Sequence, residues 1–121
     1  MGKKIKLGVN IDHIATLRNA RGELHPDPFI AAKFVKKLGA NSITIHLRED
    51  RRHIKDLDAK KICSIKNLSV NLEISINAKM IKNALQIKPD FICLVPENRK
   101  EITTEGGLNL KKNKSEIKSI I

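Results

Sequence analysis

Five polar side chains of types that transfer protons or bind anions lie at or near the ends of three short apolar segments. They are Asn10, Asp12, His46, Arg48 and Glu73. An imidazole or a partly desolvated carboxylate can exchange a proton near neutral pH, and a guanidinium binds phosphate or carboxylate groups. The set therefore indicates acid–base chemistry on an anionic small molecule.

The elements that position these side chains are predicted from the alternation of apolar and polar residues, which is typical of strands. The predicted strands are residues 6–11, 42–47, 69–74 and 91–95. In the first of them, Leu7, Val9 and Ile11 share one face, whereas Asn10 and Asp12 share the other. The first three strands are thus predicted to have one apolar face and one face that is polar near the carboxyl end, whereas 91–95 is a short apolar run.

Helical spacing and capping residues predict helices between the strands. Asp27 and Pro28 suit the start of a helix that Gly39 ends, and Asn77 suits the start of another that ends near Pro89. Further short helices are predicted within 59–65 and 109–121. Alternating strands and helices predict βαβ units with a parallel sheet, and the length predicts a single α/β domain over residues 1–121.

In a parallel sheet the carboxyl ends of the strands lie at one edge, where α/β folds place their active sites. Two structural alternatives compete with a catalytic interpretation. Glu73 could form a buried ion pair with an interior Arg or Lys, and His46 could be a hydrogen-bonded core histidine. Arg48 favours the functional interpretation, because it lies two residues after His46 and so on the same face.

The segment after Ile11 is expected to be a loop. Asp12 and His13 are adjacent, so they would point to opposite sides of a strand and could converge only in such a loop. Four arginines in segments that follow strands suit either a solvated surface or a phosphate site. They are Arg18, Arg21, Arg51 and Arg52.

The composition limits the classes of function. The chain has 24 basic and 13 acidic residues, a net charge of +11, which suits polyanionic partners or reflects lysines scattered over a solvated surface. Three Phe with no Trp or Tyr do not favour nucleic acid, because single-strand readers stack bases on aromatic side chains. No membrane segment, nucleotide-binding loop or metal-ligand spacing is found. Cys63 and Cys93 are expected to be buried thiols in a reducing cytoplasm.

Five peptides of the chain carry a family resemblance, namely GVNIDHIATLRNARG at 8–22, PDP at 26–28, ITIHLREDRRHI at 43–54, NLEIS at 71–75 and LVPENRKEITTEGGL at 94–108. They closely resemble the pyridoxine 5′-phosphate synthase family. The resemblance implies the first four βα units of a TIM (β/α)8 barrel, incomplete at this length. It also implies an enzyme of vitamin B6 biosynthesis that joins 1-deoxy-D-xylulose 5-phosphate to 3-amino-2-oxopropyl phosphate without a metal or an organic cofactor.

The resemblance also implies roles for individual residues. His46 and Glu73 would be proton acceptors, while Asn10 and Arg21 would hold the aminoketone phosphate. The residues implied to bind the deoxyxylulose phosphate are Asp12, His13, Arg48, His53 and Thr103.

A complete barrel of this type needs about 250 residues, so the 121-residue chain is expected to be inactive by itself. An open half barrel has unpaired strand edges, which predicts association with a C-terminal half or with further copies of the chain. The alternative function is a non-catalytic half barrel that dimerises and binds sugar phosphates. A third hypothesis, a basic protein associated with nucleic acid, predicts strongly salt-dependent binding.

Overall fold

The computed structural model describes residues 2–98, 100 and 106–121. The strands are β1 (Gly8–Asn10), β2 (Ser42–His46), β3 (Ser69–Ile74) and β4 (Phe91–Leu94). The helices are α1 (Asp12–Arg21), α2 (Pro28–Lys37), α3 (Asp56–Cys63), α4 (Ala78–Ile87) and α5 (Lys114–Ile120). Strands and helices alternate along the chain, apart from the α1–α2 pair.

The four strands form one parallel sheet in the order β1-β2-β3-β4. Its register pairs Asn10 with Thr44, and His46 with Glu73. The polar ends of the first three strands therefore lie side by side at the carboxyl edge. The α/β class is confirmed, and the strand order is that of the first half of a (β/α)8 barrel.

The core lies between the helices and the apolar face of the sheet. On β2 and β3 the side chains of one parity have no solvent exposure, namely Ile43, Ile45, Val70, Leu72 and Ile74. The helices cover them with small or flexible residues such as Ala15, Ala32, Ala59 and Met80. The opposite face carries His46 and Glu73, so burial of the apolar parity fixes the direction of the polar side chains.

Two predicted helix starts are confirmed by their capping contacts. The Asp27 carboxylate accepts a hydrogen bond from the Phe29 N–H at 2.8 Å, with Pro28 in the first position of α2. The Asn77 side chain accepts one from the Lys79 N–H at 2.9 Å. Each cap satisfies a backbone donor that the helix itself leaves unpaired.

The expected loop after Ile11 is wrong, because this segment forms α1. Asp12 lies in the first turn, where a carboxylate interacts favourably with the helix dipole. Ile11, Ala15 and Arg18 are spaced by four and three residues and are all buried. Gly22 ends the helix in the left-handed conformation, with a φ of 67° that most other residues adopt with strain.

The expectation of two buried thiols is also wrong for one of them. Cys63 is half-buried, but Cys93 is exposed. Cys93 pairs in register with Glu73 and so lies on the polar face of β4, which the helices do not cover.

Within the described residues, no helix is both long and apolar enough to cross a membrane.

Candidate active site

Asp12 joins the ends of the first two strands. Its backbone N–H donates to the Asn10 Oδ1 at 2.8 Å, and the Asn10 amide donates back to the Asp12 Oδ2 at 3.0 Å. The Asp12 Oδ1 accepts the backbone N–H of His46 at 2.7 Å. The carboxylate is nearly buried, so these contacts fix the spacing between Asn10 and His46.

The His46 imidazole lies between two carboxylates. Its Nε2 is 2.9 Å from the Glu97 Oε1, and its Nδ1 is 4.0 Å from the Glu73 Oε2. The side chains of His46 and Glu97 are only 5% and 6% exposed. A buried imidazole flanked in this way can transfer protons along a fixed line between the two carboxylates.

The half-buried Glu73 carboxylate differs from an ordinary surface glutamate. Burial raises its pKa, the charge of His46 lowers it, and the nearby Asp12 raises it further, with a raised pKa as the result. The alternative of an ion pair with an interior cation is not supported, since no Arg or Lys of the described residues forms a salt bridge with Glu73. A carboxylate with a raised pKa binds a proton more readily, as a general base requires.

His53 adds a second buried imidazole to the site. Its ring centroid lies 5.8 Å from that of His46, and its Nδ1 is 4.0 Å from the Asp12 Oδ1. The backbone N–H of Ile54 donates to the same Nδ1 at 3.0 Å, so this nitrogen carries no proton. Asn19 of α1 holds the segment in place by donating to the backbone oxygens of Arg52 and His53.

Burial is the main cause of a lowered pKa for His53, and the charges of His46, Arg48 and His13 lower it too, whereas Asp12 opposes the shift. The folded protein therefore binds a proton here less readily than the unfolded chain, whose histidines titrate at about pH 6.5. The contribution of His53 to stability is present above that pH and is lost as the pH falls toward the folded-state pKa.

The quantity to measure is the free energy of unfolding of the unmodified chain minus that of a His53→Gln variant. We expect this difference to decrease as the pH is lowered from the unfolded-state pKa of histidine toward the folded-state pKa of His53. Urea unfolding at several pH values measures the difference. His25→Gln is the matched control, because the His25 side chain is 74% exposed. If the difference in free energy of unfolding between the unmodified chain and His53→Gln stayed constant on acidification, the assignment of a neutral buried His53 ring would be wrong.

Arg48 is the most deeply buried cation of the site, with 1% exposure. One of its terminal nitrogens donates to the Asn98 backbone oxygen at 3.1 Å. Its Nε lies 3.5 Å from the Asp50 Oδ1 but forms no hydrogen bond with the described residues. A buried donor without a partner costs about 1–3 kcal/mol, so an anionic oxygen that reached this Nε would be stabilised.

The remaining predicted residues lie farther from His46 or outside the described part. His13 is exposed, and its ring centroid lies 6.4 Å from that of His53. Arg21 ends α1 and forms an exposed ion pair with Glu23 at 2.9 Å, which directs its guanidinium to Glu23. Thr103 lies outside the described residues.

Three other arginines from the sequence prediction form ion pairs within the chain. Arg18 lies in α1 rather than in a loop, and it forms a bidentate pair with Asp58 at 2.7 and 2.9 Å. Arg51 pairs with Asp56, and Arg52 pairs with Asp50, each at 2.8 Å. These guanidiniums are thus already bound to carboxylates, which leaves Arg48 as the best placed cation beside the imidazoles.

Glu97 was missed by the sequence reasoning. It follows β4 by three residues, so its position after a predicted strand was the available signal. That signal was weak, because the strand itself shows no polar alternation and Pro96 separates it from the polar segment. The contact with His46 spans 51 positions of the chain.

In the described part of the chain, no group of three His, Cys, Asp or Glu residues is arranged to hold a metal ion.

A parallel α/β sheet that gathers imidazole, carboxylate and guanidinium groups at the carboxyl ends of its strands is the arrangement of (β/α)8-barrel enzymes. Residues 7–121 match the family described as pyridoxal phosphate biosynthesis protein PdxJ. The chain belongs to this family.

Curated relatives show the same likeness. The chain is 67% identical over 116 residues to a pyridoxine 5′-phosphate synthase of Pelagibacter ubique, which covers 96% of this chain and 48% of that protein. A protein of the same name from Aliivibrio fischeri is 54% identical, over 95% of this chain and 47% of that protein. Another from Nautilia profundicola is 56% identical, over 97% of this chain and 45% of that protein. The chain therefore spans about half the length of these relatives.

Proposed function

We propose that this chain carries the proton-accepting and part of the substrate-binding residues of a pyridoxine 5′-phosphate synthase. The reaction joins 1-deoxy-D-xylulose 5-phosphate to 3-amino-2-oxopropyl phosphate and forms pyridoxine 5′-phosphate, inorganic phosphate and water. The observation that carries the proposal is the placement of His46 between Glu73 and Glu97, with Arg48 buried on the same strand end. The names of the curated relatives also support it.

In this proposal, the Nδ1 of His46 and the Glu73 carboxylate accept the protons that imine formation and the following eliminations release. Two acceptors 4.0 Å apart can serve neighbouring carbons of one bound substrate. The raised pKa of Glu73, caused mainly by burial, makes its carboxylate a better base than a surface glutamate.

In this proposal, one set of residues holds the deoxyxylulose phosphate, namely Asp12, His13, Arg48, His53 and Thr103. The aminoketone phosphate is held by Asn10 and Arg21. The buried Arg48 Nε supports the first assignment, since it has no hydrogen bond with the described residues. For Arg21 the proposal requires that the side chain exchange its exposed Glu23 partner for a phosphate. We place the reaction in the cytoplasm, where free thiols such as Cys93 stay reduced.

The test is a hybrid chain in which residues 7–121 of this protein replace the matching part of the Pelagibacter ubique relative. We expect the hybrid chain to form pyridoxine 5′-phosphate from the two substrates, since its proposed acceptors and phosphate ligands come from this chain. We expect the 121-residue chain alone to bind deoxyxylulose phosphate without turnover. A folded hybrid chain with no detectable product would overturn the proposed function.

A second candidate function is a non-catalytic half barrel that dimerises and binds sugar phosphates. It is favoured by the exposure of two apolar side chains on β4, Phe91 at 63% and Ile92 at 45%, on a strand with one neighbour in the described sheet. Two copies could pair β4 of each with β1 of the other. Sedimentation of the chain as a dimer, together with a hybrid chain that binds but does not turn over, would favour this function.

A further inference from the structure

The Glu97 carboxylate uses each of its oxygens for a different donor. The Oε1 lies 2.9 Å from the His46 Nε2, and the Oε2 accepts the backbone N–H of Glu49 at 3.1 Å. Burial alone would raise the pKa of Glu97, but the hydrogen bonds from His46 and the Glu49 N–H and the charge of Arg48 lower it overall, and a protonated His46 lowers it further. The group is thus an ionised carboxylate that can only accept hydrogen bonds.

We propose that Glu97 is a positioning residue that holds the His46 ring in the tautomer protonated at Nε2, so that Nδ1 is the unprotonated nitrogen facing Glu73. An ionised oxygen 2.9 Å from Nε2 requires a proton on that nitrogen. A neutral imidazole carries one proton, so the lone pair is then at Nδ1, which is 4.0 Å from the Glu73 Oε2. The catalytic meaning of this tautomer rests on the proposed function, whereas the tautomer itself does not.

Glu97 and Asp12 divide the task of fixing His46. Asp12 accepts the His46 backbone N–H at 2.7 Å and so fixes the main chain at the end of β2. Glu97 contacts the ring and reaches it from the end of β4, across the intervening strand β3. A ring without Glu97 would keep its place on the sheet but would lose the contact that selects which nitrogen is protonated.

The decisive variant is Glu97→Gln. The Glu49 backbone N–H can only donate, so the amide oxygen must take the place of Oε2, and the amide N–H group must then face the His46 Nε2. Two donors cannot face each other, and the ring can move its proton whereas the backbone cannot. We therefore expect Glu97→Gln to shift His46 to the Nδ1-protonated tautomer, with a change in the tautomer ratio of at least about tenfold, which is the effect of one hydrogen bond to a charged group.

Long-range proton–nitrogen NMR correlations of the 15N-histidine-labelled chain, at a pH where the ring is neutral, measure the ratio directly. The chain has four histidines, and loss of one ring in a His46→Gln sample assigns the signal. Glu23→Gln is the matched control, since it makes the same change at a half-exposed side chain that contacts Arg21 and His25, and it should leave the His46 ratio unchanged.

Two results would overturn the proposal. One is an unmodified chain whose neutral His46 is protonated mainly at Nδ1, a measurement that needs no variant to fold. The other is a folded Glu97→Gln chain that keeps the Nε2-protonated ring. Both are read without substrate, so an inactive hybrid chain would overturn the proposed function while the tautomer result stands by itself.

Discussion

Replacing Glu73 with Gln in the hybrid chain is expected to lower kcat by about 10²- to 10⁴-fold, the range that one general acid–base group typically contributes. The amide keeps the size of the side chain and its place beside His46 but cannot accept a proton. The half-buried position would tolerate the neutral amide well, because the raised pKa of Glu73 shows that the charged form is disfavoured there. The loss should therefore fall on the chemical step and not on folding.

Steady-state kinetics with both substrates, together with urea unfolding, separate these two effects. Glu116→Gln in the same hybrid chain is the control and should retain the kinetics of the parent. If Glu73→Gln kept kcat within a few fold of the parent while remaining folded, Glu73 would not be a proton acceptor in the rate-limiting step.

Removal of the Asp58 carboxylate should cause the largest loss of stability. Asp58 forms the bidentate pair with Arg18, and both side chains are about 10% exposed, at 11% and 10%. It also accepts the Lys55 N–H at 2.9 Å at the start of α3. Asp58→Ala leaves a buried guanidinium without its partner, for which the expected cost is about 3–5 kcal/mol in the free energy of unfolding. Against a typical total of about 5–15 kcal/mol, this could remove most of the stability of the chain.

Asp56→Ala provides the matched control two residues away. Asp56 pairs with Arg51 at a similar distance, 2.8 Å, but the two side chains are 47% and 28% exposed, so the expected cost is at most about 1 kcal/mol. Urea denaturation of the chain and both variants measures the difference. Equal losses in the two variants would show that burial of the Arg18 pair contributes nothing beyond a surface ion pair.

The same pair explains how the site depends on the packing of helices. Arg18 connects α1 to α3, and the neighbouring Asn19 holds the backbone of Arg52 and His53. A loss of this connection should therefore disturb the position of His53 before it disturbs the sheet. The sequence left a solvated surface or a phosphate site open for Arg18, because nothing in the spacing of Arg18 and Asp58, 40 positions apart, shows that they meet.

Hydrophobic periodicity located α2 but did not show which of its residues are buried. Ile30, Phe34 and Leu38 follow one another at helical spacing, yet they are 64%, 60% and 71% exposed. Pro28 and Ala32 are the buried residues of the helix instead. Small residues allow the helix to approach the sheet closely. Which face of the helix is buried therefore depends on how it packs against the neighbouring element and not on hydrophobicity along the helix alone.

Local sequence by itself determined the four strands, the starts of α2 and α4, and the set of polar side chains at the carboxyl edge. The reason is that these features depend on interactions within a few residues. A period of two assigns Asn10, His46 and Glu73 to one face, and a side-chain oxygen at Asp27 or Asn77 caps the helix that follows it.

The tertiary structure alone decided which of these side chains act on one another. The contacts of Asp12 with the His46 backbone and of Glu97 with the His46 ring join residues 34 and 51 positions apart. No local pattern encodes them, because they form only when β1, β2, β3 and β4 align in parallel register and burial removes water from the groups between them. That alignment is what places one imidazole between two carboxylates with different affinities for a proton.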